Sequence, residues 1–129
     1  MTIIALGPLT NLAAALADPA ASTSFYETVL APIGGKAIMS FGPVTGFGKD
    51  FPSFWIGPVG DAGAPHKDIH IAFTAGSRDE VLAFFAAASA AGAEVLHEQR
   101  EWPEYHPNYY GAFVRDLDGN NVEAVHHGF

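Results

Sequence analysis

The chain repeats itself at a spacing of 59 residues, and this repeat limits the possible folds more than any other feature. Two segments read as helices. Asp18 caps the first and is followed by Pro19, while Ser77 caps the second and is followed by acidic residues. The two caps are 59 positions apart, and so are the aromatic residues Phe25 and Phe84. The sequence therefore predicts two tandem copies of one structural unit.

Each predicted helix has one strand-like segment before it and three after it. The preceding segments are "NLAAALA" at 11–17 and "HIAFTA" at 70–75. The dipeptide Asp118-Gly119 is typical of a hairpin turn between the last two segments. Each copy then reads β-α-β-β-β, which predicts an α+β fold. The following segments are "KAIMSF" (36–41), "VTGFG" (44–48) and "SFWIG" (53–57) in the first copy, and "AEVLHE" (93–98), "YYGAFVRD" (109–116) and "NVEAVHH" (121–127) in the second.

The repeat also pairs two polar residues, because Asn11 is 59 positions before His70. Strand alternation places His70 on one face with Ala72 and Thr74, where it is either a structural histidine or a ligand in a cavity. Glu123 lies in an otherwise apolar strand after a tight turn. Its carboxylate either faces solvent or points into a concave sheet as a metal ligand or acid–base group. The residues alone leave both pairs of alternatives open.

Aromatic residues are concentrated in "WPEYHPNYY", residues 102–110. Such a segment either covers an edge of the core or forms the wall of a small-molecule pocket. Three other histidines lie in polar or terminal stretches, and we expect no functional role for them. The aromatic segment contains Trp102, Tyr105, His106, Tyr109 and Tyr110, and the three histidines are His97, His126 and His127.

The composition excludes several functional classes. With 14 acidic against 6 basic residues, the net charge is −8, and the scattered basic residues disfavour binding to nucleic acid or to anionic membranes. No apolar run approaches the ~20 residues that span a bilayer. The chain has no cysteine, and its apolar start has no Lys or Arg before Lys36 and is interrupted at Gly7-Pro8. We therefore expect a cytoplasmic protein without a secretory signal.

The duplicated β-α-β-β-β pattern, the helix "DPAASTSFYETVL" and the ending "DLDGNNVE" resemble the vicinal oxygen chelate superfamily. This superfamily includes glyoxalase I, extradiol dioxygenases, and fosfomycin- and bleomycin-resistance proteins. The resemblance implies one domain over residues 1–129, with module one at about 9–60 and module two at about 67–127. It also implies a curved, cup-like mixed sheet with the helices outside. The ending is particularly similar to bacterial glyoxalase-like proteins.

The resemblance implies a divalent metal (Ni, Zn, Mn or Fe) held in the cup by residues on the first and last strands of each module. Its metal ligands fall on His70, Glu123 and Asn11, and the fourth position falls on Trp55, which cannot coordinate an ion. An amide is a poor substitute for imidazole with the softer transition metals. The resemblance also implies a homodimer. The candidate catalytic residues are Glu123, Tyr110 and His106, and the candidate substrate contacts are Trp55, Trp102, Tyr105, Tyr109 and Asn11.

The resemblance implies a metal-dependent lyase or dioxygenase-type enzyme that acts on a small molecule with adjacent oxygens. The alternative is a metal-free protein that binds or sequesters a small molecule, as bleomycin-resistance relatives do. A structural or dimerisation module with a vestigial cup is the third hypothesis. The first residues, "TIIALGPLTNLAAAL" at 2–16, also resemble a short segment of nucleoside hydrolases. The acidic calcium-binding signature of that family is absent from the sequence, so we do not expect hydrolase activity.

Overall fold

The computed structural model describes residues 2–6, 12–16, 19–58 and 69–128. Both copies of the predicted β-α-β-β-β unit are present, and an additional strand, β1, precedes them. Module one consists of β2 to β5 with α1, and module two consists of β6 to β9 with α2. The elements are β1 Thr2–Leu6, β2 Leu12–Leu16, α1 Pro19–Leu30, β3 Lys36–Phe41, β4 Val44–Gly48, β5 Phe54–Pro58, β6 Ile69–Thr74, α2 Arg78–Ala90, β7 Val95–Glu101, β8 Tyr110–Arg115 and β9 Asn121–His126.

Local sequence signals set the ends of the helices. The Ser77 hydroxyl accepts a hydrogen bond from the Glu80 amide at 3.1 Å, which confirms the predicted cap of α2. A short 3₁₀ turn, Ala31–Ile33, extends α1 and ends at Gly34, whose φ of 86° lies in the left-handed region that favours glycine. The predicted cap of α1, Asp18, lies outside the described residues. Neither described α-helix is long and apolar enough to cross a membrane.

The two modules build their sheets in the same strand order. Module one has the order β2-β5-β4-β3, and module two has β6-β9-β8-β7 with β1 added beside β6. In each module the first strand runs parallel to the last, and the other neighbours are antiparallel. This common order supports the duplication, and the mixed, open sheets with their helices agree with the predicted fold class.

The strand register relates the last strands of the two modules residue by residue. Ala13 lies opposite Trp55, and Ala72 lies opposite Glu123. Since Ala13 and Ala72 are 59 positions apart, Trp55 and Glu123 occupy equivalent places in the two sheets. Module one therefore carries an indole ring where module two carries a carboxylate.

The core lies between the helices and one face of each sheet. Its fully buried side chains include Phe47, Phe54 and Phe84, with Tyr26 between the modules. The Tyr26 hydroxyl donates a hydrogen bond to the Asp116 carboxylate at 2.6 Å, which joins α1 to the turn between β8 and β9. We call the opposite face of each sheet the cup side.

Candidate active site

Strand alternation brings the candidate residues of module two to the cup side. On β9, Val122 and Ala124 belong to the core, so Glu123 between them faces the cup. On β6, Ile71 and Phe73 belong to the core, and His70 faces the cup together with Ala72 and Thr74, as the alternation predicted. Since β6 and β9 are parallel neighbours, His70 and Glu123 lie side by side.

Glu123, His70 and Tyr109 form a hydrogen-bonded group at the base of the cup. Nε2 of His70 lies 2.7 Å from Oε1 of Glu123, and the Tyr109 hydroxyl donates to Oε2. A carboxylate has no hydrogen to donate, so Nε2 of His70 carries the hydrogen of the first bond. Glu123 is 0% exposed and His70 is 6% exposed. The carboxylate is therefore buried with a donor on each oxygen.

This group opens into a cavity of about 210 Å³. The volume is below the usual range for drug-sized ligands, which indicates a small one. Its polar base is surrounded by small aliphatic side chains and by rings. The lining residues are His70, Ala72, Thr74, Tyr105, Tyr109, Glu123, Val125 and His127.

A loop of residues 102–109, which we call the aromatic loop, forms one wall of the cavity. The Trp102 amide donates to the Tyr109 carbonyl at 2.7 Å and closes the loop, and the Trp102 indole N–H donates to the Gly111 carbonyl at 3.0 Å. The Tyr105 ring stacks on Trp102 and also contacts Tyr109, with centroid distances of 5.8 and 4.9 Å. These contacts fix the position of the two tyrosine rings that face the cavity.

Gly111 makes room for the bond between Tyr109 and Glu123. A Cβ atom at this position would lie 3.0 Å from Oε2 of Glu123 and 3.3 Å from Cε1 of Tyr109. A side chain there would push the two groups apart. This residue was not predicted, because a glycine in a strand does not by itself reveal what approaches it.

Burial and hydrogen bonding alter the acid–base properties of the cavity wall. Burial, followed by the bond to Glu123, raises the pKa of Tyr109 well above its ordinary value. Burial and the neighbouring His106 lower the pKa of His127. Nδ1 of His106 donates to the Pro107 carbonyl, and its Nε2 forms a hydrogen bond with Nδ1 of His127 at 3.1 Å. Tyr109 and His127 are thereby biased toward their neutral forms.

The structure brings together several of the predicted site residues. His70, Glu123, Tyr105 and Tyr109 all line the cavity. Trp102 lies behind Tyr105 and supports it. His127, for which the sequence predicted no role, also lines the cavity. Its position at the chain's end gave no periodic signal by which it could have been found.

Other predicted site residues lie elsewhere. His106 contacts the rings of Tyr109 and His127 but is not among the described residues that line the cavity. Tyr110 lies on the opposite face of β8, where it packs against the core beneath the Arg78 guanidinium. Trp55 stacks on Phe41 in module one, at 6.2 Å between ring centroids. Asn11 lies outside the described residues.

A larger cavity of about 280 Å³ lies on the core side of module one. Its walls are mainly phenylalanine rings, among them Phe47, Phe54 and Phe73. The described residues at its rim include Lys49 and Asp50, both exposed, but no buried polar side chain. We place the candidate site in the smaller cavity because that cavity contains the buried acid–base group.

The donor set for a divalent metal is incomplete in the part of the chain that the structure describes. No group of three His, Cys, Asp or Glu side chains is placed there to hold an ion. His70 and Glu123 fit two positions, and the place equivalent to Glu123 in module one carries Trp55. Two donors are fewer than the protein ligands of structural or catalytic zinc sites. The described residues therefore do not by themselves fit a metal centre.

The family model of the Glyoxalase-like domain matches residues 11–125. The chain belongs to this family. The match confirms the predicted resemblance to the vicinal oxygen chelate superfamily, and it covers both modules. A search of curated proteins finds no match.

Solved structures agree with this glyoxalase-like fold. A glyoxalase/bleomycin resistance protein from Albidiferax ferrireducens T118 is 23% identical, with a TM-score of 0.72 and coverage of 93% of this chain and 98% of the other. A lactoylglutathione lyase from Agrobacterium tumefaciens is 21% identical, with a TM-score of 0.67 and coverage of 93% and 94%. The fosfomycin resistance protein FosX from Listeria monocytogenes, in complex with Mn(II), is 19% identical, with a TM-score of 0.67 and coverage of 96% and 92%. At these identities, the likeness establishes the fold alone.

Proposed function

We propose that this glyoxalase-like protein is an enzyme that transfers a proton on a small molecule with adjacent oxygens, bound in the cavity of module two. The observation that carries the proposal is Glu123, fully buried beside that cavity and hydrogen-bonded by His70 and Tyr109. Burying a carboxylate costs free energy that such bonds only partly offset. A buried titratable group that opens into a cleft is typical of an active site.

The geometry supports a distinct role for each of the three residues. Glu123 acts as the general base, because it is the carboxylate that lines the cavity. His70 donates to Oε1 and holds the carboxylate in one orientation. The Tyr109 hydroxyl donates to Oε2, and the lone pair that this oxygen keeps can accept a hydroxyl or carbon-bound hydrogen of the substrate. Tyr105 and Val125 supply the apolar wall.

A metal-dependent form of this enzyme is a second candidate, supported by the spacing of two donor atoms. Nε2 of His70 and Oε1 of Glu123 lie 2.7 Å apart. Coordination of one ion by both atoms would replace this hydrogen bond and leave the imidazole hydrogen on Nδ1. His70, Glu123 and the predicted Asn11 would hold Ni, Zn, Mn or Fe(II). Such an ion supplies Lewis-acid stabilisation of negative charge on the substrate's oxygens.

A metal-free binding protein without chemistry is the third candidate, supported by Trp55 at the place equivalent to Glu123. In any of these forms we propose a cytoplasmic homodimer. Strands β3 and β7 end their sheets, and unpaired sheet edges favour pairing with a partner. Light scattering coupled to gel filtration tests the dimer.

Hydrogen exchange tests the proton transfer. Hydroxyacetone carries a hydroxyl and a carbonyl on adjacent carbons, and proton NMR in D₂O reports the loss of hydrogens next to its carbonyl. We expect the wild type to accelerate the exchange and Glu123→Gln to slow it by about 100-fold or more, the usual contribution of a general base. The matched control is Glu98→Gln, which changes an exposed carboxylate on β7 and should leave the rate unchanged. Exchange at the buffer rate in the wild type, with and without added metal, refutes proton transfer.

Metal titration separates the first two candidates. Thermal stability and metal content are measured after addition of Ni, Zn, Mn or Fe(II) to the wild type, to Asn11→His and to His70→Ala. Binding by Asn11→His that is lost when His70→Ala is added to the same protein supports a metal centre at these residues. If neither the wild type nor Asn11→His binds any of the four ions, the metal-dependent form is excluded.

A further inference from the structure

We infer that the ligand of the module two cavity is a neutral molecule that presents hydroxyl donors, and that anionic molecules are rejected. This inference rests on the proposed function, because it concerns the ligand of the same site. Three properties of the described residues carry it: the direction of the hydrogen bonds in the cavity, the placement of the basic side chains, and the aromatic walls.

The hydrogen-bond donors at the base of the cavity are used within the protein. The Tyr109 hydroxyl hydrogen is donated to Oε2 of Glu123, and Nε2–H of His70 is donated to Oε1. The oxygen of Tyr109 and the carboxylate of Glu123 then have only lone pairs to offer a ligand. A ligand must bring the hydrogens itself, because two acceptors facing each other gain nothing. The base of the cavity thus recognises a hydroxyl and disfavours a carbonyl, ether or carboxylate oxygen.

The described side chains that line the cavity include no lysine or arginine. Three arginines are paired with carboxylates elsewhere: Arg78 with Glu101, Arg100 with Glu104, and Arg115 with Glu94. The whole chain carries a net charge of −8. An anionic ligand would enter a desolvated site beside Glu123 without a compensating cation, which is unfavourable.

The walls favour a planar, apolar ligand body. The Tyr105 and Tyr109 rings lie 4.9 Å apart between centroids and both face the cavity, with Ala72 and Val125 beside them. Rings of this kind pack against flat apolar groups. Phenol, fluorobenzene and benzoate therefore make a matched set of probes. They share one ring, and they carry a neutral donor, no donor and an anionic acceptor respectively.

The experiment is a titration of ¹⁵N-labelled protein with each probe, followed by amide chemical shifts. We expect phenol to bind and to shift amides of β6, β9 and the aromatic loop, with fluorobenzene and benzoate at least tenfold weaker. Thr74 lies exposed at the rim of the cavity, so Thr74→Lys adds a cation without disturbing the core. This variant should bind benzoate at least tenfold more tightly than the wild type does.

Glu123→Gln provides an independent check, because an amide replaces one acceptor by a donor of the same shape. We expect this variant to bring the benzoate and phenol affinities within threefold of each other. Wild-type binding of benzoate or fluorobenzene as tight as that of phenol overturns the inference, and so does binding of none of the three probes. Phenol selectivity without hydroxyacetone exchange refutes the proposed enzyme while the ligand inference stands, so the two failures are distinguishable.

Discussion

Replacing Tyr109 by Phe tests the bond on which the candidate site depends. The change removes a hydroxyl that donates to Oε2 of Glu123, a carboxylate with 0% exposure. Hydrogen bonds to charged groups contribute about 1.5–3 kcal/mol to stability. Tyr109 is only partly buried, so water can reach the vacated position and replace the donor in part. We therefore expect a loss at the lower end of this range, about 1.5 kcal/mol in the free energy of unfolding at pH 7.

The same variant should change how stability depends on alkaline pH. The pKa of Tyr109 is raised above its ordinary value of 10.0 by burial and by Glu123. The folded protein thus retains this proton at pH values where the unfolded chain loses it. The stabilisation is complete below about pH 10 and falls as the pH rises above it, by at most about 1.4 kcal/mol per pH unit for each such group. Tyr26 has a raised pKa for the same reasons, with Asp116 as its partner.

The assay is urea unfolding followed by circular dichroism between pH 7 and pH 11. The wild type should lose stability above pH 10, because the folded protein keeps the hydroxyl protons of Tyr26 and Tyr109 that the unfolded chain loses. Tyr109→Phe should lose stability less steeply, because it lacks one of these two protons. Tyr105→Phe is the matched control for stability at pH 7, since Tyr105 is 56% exposed and should change the free energy of unfolding by no more than about 0.5 kcal/mol. A Tyr109→Phe protein within 0.5 kcal/mol of wild type at pH 7, the usual limit for neutral surface changes, with the wild-type alkaline slope, would refute the reasoning.

Three further changes probe the frame around the site. Tyr26→Phe removes the buried 2.6 Å hydrogen bond to Asp116 between the modules and should lower the free energy of unfolding by about 1.5–3 kcal/mol; a loss no larger than that of the exposed-site variant Tyr105→Phe on urea unfolding would contradict this. Gly46→Ala would place a Cβ 2.8 Å from Pro52 and 2.9 Å from the Trp55 ring. Overpacking of this kind costs about 1–3 kcal/mol, visible as a lower melting temperature and altered tryptophan fluorescence, whereas unchanged melting would show that the ring moves freely. Ser77→Ala removes the cap of α2 and should lower the free energy of unfolding by about 1 kcal/mol. Ser77→Asp keeps a capping oxygen and should retain the wild-type stability.

Most of the fold was predictable because its signals are local. The helix caps and the Asp118-Gly119 turn are short-range features, and the predicted segments agree with the observed strands and helices to within a few residues. Strand β1 was not predicted. The segment Thr2–Leu6 carries no capping or turn signal, and it is a strand because it pairs in parallel with β6, far away in the sequence. Such pairing depends on tertiary contacts that periodicity does not report.

The sequence predicted several residues of the site but not the hydrogen bonds between their side chains. The repeat and strand alternation identified His70, and a carboxylate in an apolar strand after a tight turn identified Glu123, yet none of these patterns reveals that the two side chains bond to each other. The choice between Tyr109 and Tyr110 depends on a single step in register, because adjacent strand residues face opposite sides. Tyr109 contacts Glu123, while Tyr110 packs against the core. The sequence alone could not tell Tyr109 from Tyr110 as a site residue, because the difference depends on the strand register in the folded sheet.

A comparison of the two modules explains why we expect an acid–base site in module two and not in module one. Across β8 and β9, Phe113 lies opposite Glu123, and across β4 and β5, Gly46 lies opposite Trp55. In module two, these two positions hold a ring, Phe113, beside the carboxylate of Glu123. In module one, they hold Gly46, which has no side chain, beside the large ring of Trp55. Trp55 occupies space that a side chain at position 46 would need, because a Cβ atom added to Gly46 would lie 2.9 Å from the Trp55 ring. Trp55→Glu alone would leave the place of the indole ring partly empty, and Pro52, 2.8 Å from a Cβ at position 46, would still exclude a larger residue there, so this single change does not rebuild the acid–base site of module two.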